Sequence, residues 1–92
     1  MITITPHPFN AAEALEAFQK EARGVGAIVT FTGLVRDTAS DSVVTGLHLQ
    51  AYSPMTERGI EKAVAEARER WPITSLRIIH RTGDMAPFDP IV

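Results

Sequence analysis

The sequence predicts an α+β fold: a mixed or antiparallel sheet with two helices packed on one face, in the order β-α-β-β-α-β. Three observations carry that expectation. Two stretches repeat apolar residues every three or four positions. Several runs are rich in β-branched and aromatic residues. The polar hexapeptide 37–42 stands between two of those runs, as a hairpin connection does. With 92 residues there is room for one core, so residues 1–92 are expected to form a single domain.

Each element has a local cause. Ile2 and Ile4 alternate with Thr3 and Thr5, a short strand stopped by Pro6 and Pro8. Asn10 and Glu13 have capping-box spacing, and Ala11, Leu15, Phe18 and Ala22 then fall on one helical face that closes near Gly24. Residues 26–36 are apolar on both faces and predict a strand covered on both sides, ending at Arg36. Residues 43–52 resume as a strand, with Leu47, Leu49 and Ala51 on one face and Gly46, His48, Gln50 and Tyr52 on the other. Ser53 as N-cap and Pro54 at the first helical position start a second helix. Its stripe runs through Met55, Ile60, Ala63, Val64, Ala67 and Trp71, with Lys62–Glu66 and Glu66–Arg70 pairs outside, and Pro72 ends it. Residues 73–81 predict a third long strand with Leu76, Ile78 and His80 on one face. Pro90-Ile91-Val92 reads as the opening of a further strand, so the chain is expected to be the N-terminal portion of a longer domain.

Composition excludes several functions. The net charge of −2 lacks the basic excess of a nucleic-acid binder. Without cysteine there is no disulfide, thiolate metal site or thiol nucleophile, which agrees with a cytoplasmic setting. No apolar run approaches the roughly 18 residues of a membrane helix. His7, His48 and His80 are scattered, with no carboxylate at metal-ligand spacing, so no metal is expected. Gly24 and Gly26 precede a strand, whereas a phosphate loop follows one. Lys20 and Lys62 fall on outer helix faces and are poor nucleophiles.

One residue remains a candidate for chemistry. Arg36 stands where an apolar strand enters a polar loop, and a guanidinium there can hold phosphate or carboxylate bidentately. The plainer alternative is a solvated arginine paired with Asp37 or Asp41. For His80, a core histidine bonded to backbone outweighs a general base.

The run from Gly26 to Arg36 resembles the opening strand motif of the molybdopterin synthase catalytic (large) subunit family. Residues 47–52 with Met55-Thr56-Glu57, residues 66–72, residues 79–83 and Pro8-Phe9 agree in order and spacing. The resemblance implies a sulfur transferase of molybdenum-cofactor synthesis. Such an enzyme converts cyclic pyranopterin monophosphate into the molybdopterin dithiolene, with sulfur arriving as a thiocarboxylate on a small ubiquitin-like sulfur-carrier subunit. It implies a homodimer with one small subunit at each end, and no cofactor on this chain. It also implies that Leu34, Val35 and Arg36 contact substrate, with Arg36 facing the anionic pterin or the carrier tail. The family's catalytic His-Arg pair and two lysines are expected beyond Val92; His80-Arg81 is a different segment. Gln50, Ala51 and Ser53 depart from the family pattern. The rival from another class is a non-catalytic module that dimerises or docks the carrier.

Overall fold

The computed structural model describes residues 1–92. In chain order the elements are β1 (Ile2–Thr5), α1 (Ala11–Glu21), β2 (Thr38–Ala39), β3 (Ser42–Val43), β4 (Leu47–Leu49), α2 (Met55–Arg70), β5 (Ile78–Arg81) and β6 (Gly83–Met85). The α+β class holds, and the sheet structure is mixed. β1 runs parallel to β5 with Ile2 opposite Ile78 and Thr5 opposite Arg81. β4 pairs antiparallel with β6, His48 opposite Asp84. β2 and β3 form a small antiparallel hairpin.

Local signals fix α1. The Asn10 side chain accepts a hydrogen bond from the Glu13 amide at 3.1 Å, satisfying one orphan donor of the first turn. Ala11, Leu15 and Phe18 are half-buried and Ala22 is buried, as the stripe predicts. The alternation on β4 also holds: Leu47, Leu49 and Ala51 turn inward while His48, Gln50 and Tyr52 are exposed.

Other expectations need correction. The strand predicted over 26–36 is not formed as such. Residues 25–32 donate and accept no backbone hydrogen bond, and only 33–35 pair, with 88–92. β-propensity reports what a segment suits, but a strand exists only where a neighbour supplies the ladder. Val29 is 95% exposed and Phe31 84%, so the segment is not covered on both sides. It borders an open groove of about 550 Å³ whose other walls include Leu15 and Phe18 of α1 and Ile78 of β5. The strands predicted at 43–52 and 73–81 shrink for the same reason, to β3 and β4 and to β5.

Helix α2 begins one residue later than Ser53-Pro54 predicts. Pro54 is the cap, and the Ser53 hydroxyl donates to Glu57 Oε1 at 2.6 Å instead of capping an amide. α2 packs on β1 through a face on which Ile60, Val64 and Ala67 are half-buried. Met55, Ala63 and Trp71 of the predicted stripe are exposed. The Lys62–Glu66 and Glu66–Arg70 pairs are absent, and the helix-surface ion pair that does form is Glu16–Lys20 on α1, at 3.3 Å. Such exposed pairs matter little to stability.

Few residues are fully enclosed. Ala22, Val35 and Met85 are buried, joined by one charged residue, Arg81. The radius of gyration is 14.9 Å, against about 12 Å for a close-packed chain of this length. The best-enclosed part is therefore local: Val35 and Arg81, both bonded to the 86–89 turn, and Met85 just before it.

Candidate functional site

The segment that enters this enclosed part begins with a glycine. The Gly33 amide donates to Val92 O at 2.9 Å and its carbonyl accepts from the Ile91 amide at 2.7 Å. A Cβ on Gly33 would lie 3.2 Å from the Val92 side chain at Cγ1, so glycine leaves room for that side chain. Leu34 forms an antiparallel bridge with Pro90 and stays 49% exposed. Val35 is 3% exposed; its amide donates to Asp89 O at 3.0 Å and its carbonyl accepts from Phe88 at 2.7 Å. On the far side, Asp37 O accepts from the Val44 amide at 2.7 Å, closing the β2–β3 hairpin.

Arg36 therefore sits between two fixed neighbours, and its own side chain is free. It is exposed and makes no hydrogen bond or ion pair within the chain. The ion pair with Asp37 or Asp41 weighed as the plainer alternative does not form. A solvated guanidinium on a fixed backbone can accept a carboxylate or phosphate in fork geometry without first breaking an internal pair. Exposed Leu34 and Phe88 flank the segment and add apolar surface beside the charge. Val35 has no free backbone group and no exposed side chain, so what it contributes is anchorage.

The turn that holds Val35 has its own support. Ala86 N–H donates to Asp89 Oδ2 at 2.9 Å, and Asp89 N–H to Ala86 O at 3.1 Å. Arg81 Nη1 donates to the same Asp89 oxygen at 3.1 Å, and Arg81 Nη2 to Asp84 O at 3.0 Å. Arg81 Nε is buried with no partner. A buried donor left unmatched costs about 1–3 kcal/mol.

Alternation along 76–80 predicts His80 as the inward, backbone-bonded residue. His80 is half-buried without a side-chain hydrogen bond, and Arg81 is the buried polar group. Alternation does not single out one inward face there, because residues on both faces of β5 are at least half-buried and Arg81 is drawn in by its bonds to Asp89 and Asp84. Sequence reasoning also misses the 2.8 Å contact between His48 Nδ1 and Asp84 Oδ1, which joins residues 36 positions apart. No local pattern announces it; only the β4–β6 register creates it. Tyr52 is exposed, its hydroxyl donating to Gln50 Oε1 at 3.2 Å. Lys20 and Lys62 are both exposed. No helix is long and apolar enough to cross a membrane.

Comparison with known proteins extends this picture. Residues 4–92 match the family model described as MoaE protein. The chain is 40% identical over 91 residues to a Pseudomonas aeruginosa protein named molybdopterin synthase catalytic subunit, covering 99% of this chain and 61% of that relative. It is 41% identical to the protein of the same name from Vibrio cholerae, covering 60% of it. Among solved structures, the molybdopterin biosynthesis MoaE protein from Burkholderia ambifaria superposes with a TM-score of 0.83 at 35% identity, over 99% of this chain and 58% of that one. The chain thus spans about three-fifths of the length of the curated relatives it matches. Since the family model covers all but the first three residues, the chain belongs to the MoaE protein family.

Proposed function

We propose that this chain serves molybdenum-cofactor biosynthesis as a large subunit of molybdopterin synthase. In that reading a small ubiquitin-like carrier delivers sulfur as a C-terminal thiocarboxylate, and cyclic pyranopterin monophosphate receives it to become the molybdopterin dithiolene. The large subunit acts as a homodimer, in the cytoplasm. The relatives' shared name supports the reaction, since they match nearly the whole of this chain.

The observation that carries the reading within these residues is Arg36: an unpaired guanidinium on a segment fixed on both sides. Both proposed ligands are anionic, one through its phosphate and the other through its thiocarboxylate. Arg36 binds and orients one of them, and Leu34 offers apolar contact beside it. Val35 holds the segment in place. Residues 1–92 supply this binding half of the chemistry. Lys20 and Lys62 are exposed on α1 and α2 and are given no part in it.

The test pairs the chain with a chimera. Residues 1–92 replace the matched region of the Pseudomonas aeruginosa relative, and conversion of precursor is measured with thiocarboxylated carrier. The chimera turns over; the 92-residue chain alone stays at the level of a no-enzyme control. A folded but inactive chimera argues against the proposed reaction, and turnover by the chain alone shows that its own residues complete the chemistry.

A further inference from the structure

Arg81 is the only charged residue that is buried, at 8% exposure. Its two terminal nitrogens both serve the same stretch of chain: Nη1 on Asp89 Oδ2 at 3.1 Å and Nη2 on Asp84 O at 3.0 Å. The same Asp89 oxygen receives the Ala86 amide at 2.9 Å, so one carboxylate atom ties the 86–89 turn both to itself and to Arg81. That turn carries both backbone hydrogen bonds of Val35: Asp89 O accepts from its amide and the Phe88 amide donates to its carbonyl. Arg36 is the next residue. Arg81 is thus joined to Val35 by hydrogen bonds through Asp89, and Val35 to Arg36 by the peptide bond.

We infer that Arg81 is a positioning residue for Arg36: by clamping the 86–89 turn through Asp89, it sets the direction in which the Arg36 guanidinium leaves the fold. The inference rests on the proposed reading of Arg36 as the anion-binding group, and takes its anion to be the C-terminal carboxylate of the carrier. Arg81 does not touch the ligand itself, because it is enclosed and both terminal nitrogens are engaged. Nor is general stability a sufficient account of it. A buried charge with one donor unmatched is a poor stabiliser next to an apolar side chain of similar size. What an apolar side chain cannot do is hold a carboxylate and a carbonyl eight and three residues along the chain in one fixed geometry.

The test measures carrier binding to the 92-residue chain by calorimetry, using carrier protein with a free C-terminal carboxylate, below the melting range of every variant. Arg81→Lys and Asp89→Asn are each expected to weaken binding about five- to tenfold. Neither adds a further loss on an Arg36→Ala background. Leu15→Ala, in α1 and outside this network, lowers the melting temperature but leaves the affinity unchanged. Wild-type affinity in Asp89→Asn and Arg81→Lys overturns the inference, as does a loss of the same size with and without Arg36. If the wild-type chain does not bind the carrier, the functional reading fails, and amide exchange decides the clamp by itself. Asp89→Asn then speeds exchange at Val35 and Phe88 at least tenfold while the β1–β5 ladder is unchanged. Unaltered protection at Val35 overturns it.

Discussion

Residues 25–32 reach no other backbone group with their amides or carbonyls, whereas Gly33 and Val35, immediately downstream, use both. Composition does not separate the two stretches, since each mixes glycine with β-branched and larger apolar residues. Burial does: Val29 is 95% exposed and Val35 3%. What differs is the neighbour. Residues 33–35 lie against 88–92, which Arg81 and Asp89 hold in shape, while 25–32 border an open groove. Strand-like composition supplies suitability, and a clamped partner turns suitability into structure. The candidate site falls in the clamped half, where an arginine can be aimed.

The sharpest way to break the contrast is to remove the group that the clamped half presents. In the active chimera, Arg36→Ala should lower activity by one to two decades, from losing a charge-assisted contact worth about 1.5–3 kcal/mol. Arg36→Lys should be intermediate, because a point charge replaces a fork. Precursor conversion and thermal melting together check this. Melting should barely move, since the side chain is exposed and has no internal hydrogen bond or ion pair. Retained activity would remove Arg36 from the site.

The same substitution made in both halves sharpens the comparison further. Val35→Ala should destabilise by about 2 kcal/mol, the usual scale for deleting buried methyl groups. Val29→Ala should stay within about 0.5 kcal/mol, as exposed positions do. Urea unfolding of the two variants measures both, and equal losses would mean that 25–32 is packed in solution.

An unbonded apolar segment also invites association. The wild-type chain should self-associate at micromolar concentration. Combined Val29→Lys and Phe31→Lys should shift the dissociation midpoint about tenfold or more toward monomer, which corresponds to ~1.4 kcal/mol. Sedimentation velocity gives the answer, and a stable wild-type monomer would count against it.

The smallest effect concerns the clamp's own geometry. Phe88 has φ 72°, a left-handed conformation that costs a side-chain-bearing residue about 1–2 kcal/mol. Glycine removes that cost but loses more freedom on folding, by about 0.5–1 kcal/mol. Phe88→Gly should therefore stabilise by less than about 1 kcal/mol, read as a small rise in melting temperature. A fall would show that the ring packs in solution.

Legibility in the sequence follows the range of the interactions. Helix α1 is readable because its cap and stripe lie within one segment, Asn10 to Ala22. The inward and outward residues of β4 are readable because alternation is local. Arg36 is readable as a residue at the end of an apolar run, although its lack of an aspartate partner is not. Arg81 is hidden because its burial depends on Asp89 and Ile91, reached only after the turn at 86–89. The gap at 25–32 is hidden because no local pattern reports whether a pairing partner is at hand.

The β2–β3 hairpin, closed at its base by the Asp37–Val44 hydrogen bond, has a practical consequence for probing the protein. Ser40 and Asp41 form its two-residue tip, and every residue from 38 to 43 is exposed. Lengthening a loop beyond a closed base costs only the logarithm of its length in chain entropy, so added residues at the tip stay energetically separate from what lies below. A spin label or a short reporter peptide inserted between Ser40 and Asp41 would sit a few residues from Arg36 without touching the clamp. It would place a spectroscopic vantage point beside the candidate site while leaving both chain termini untouched.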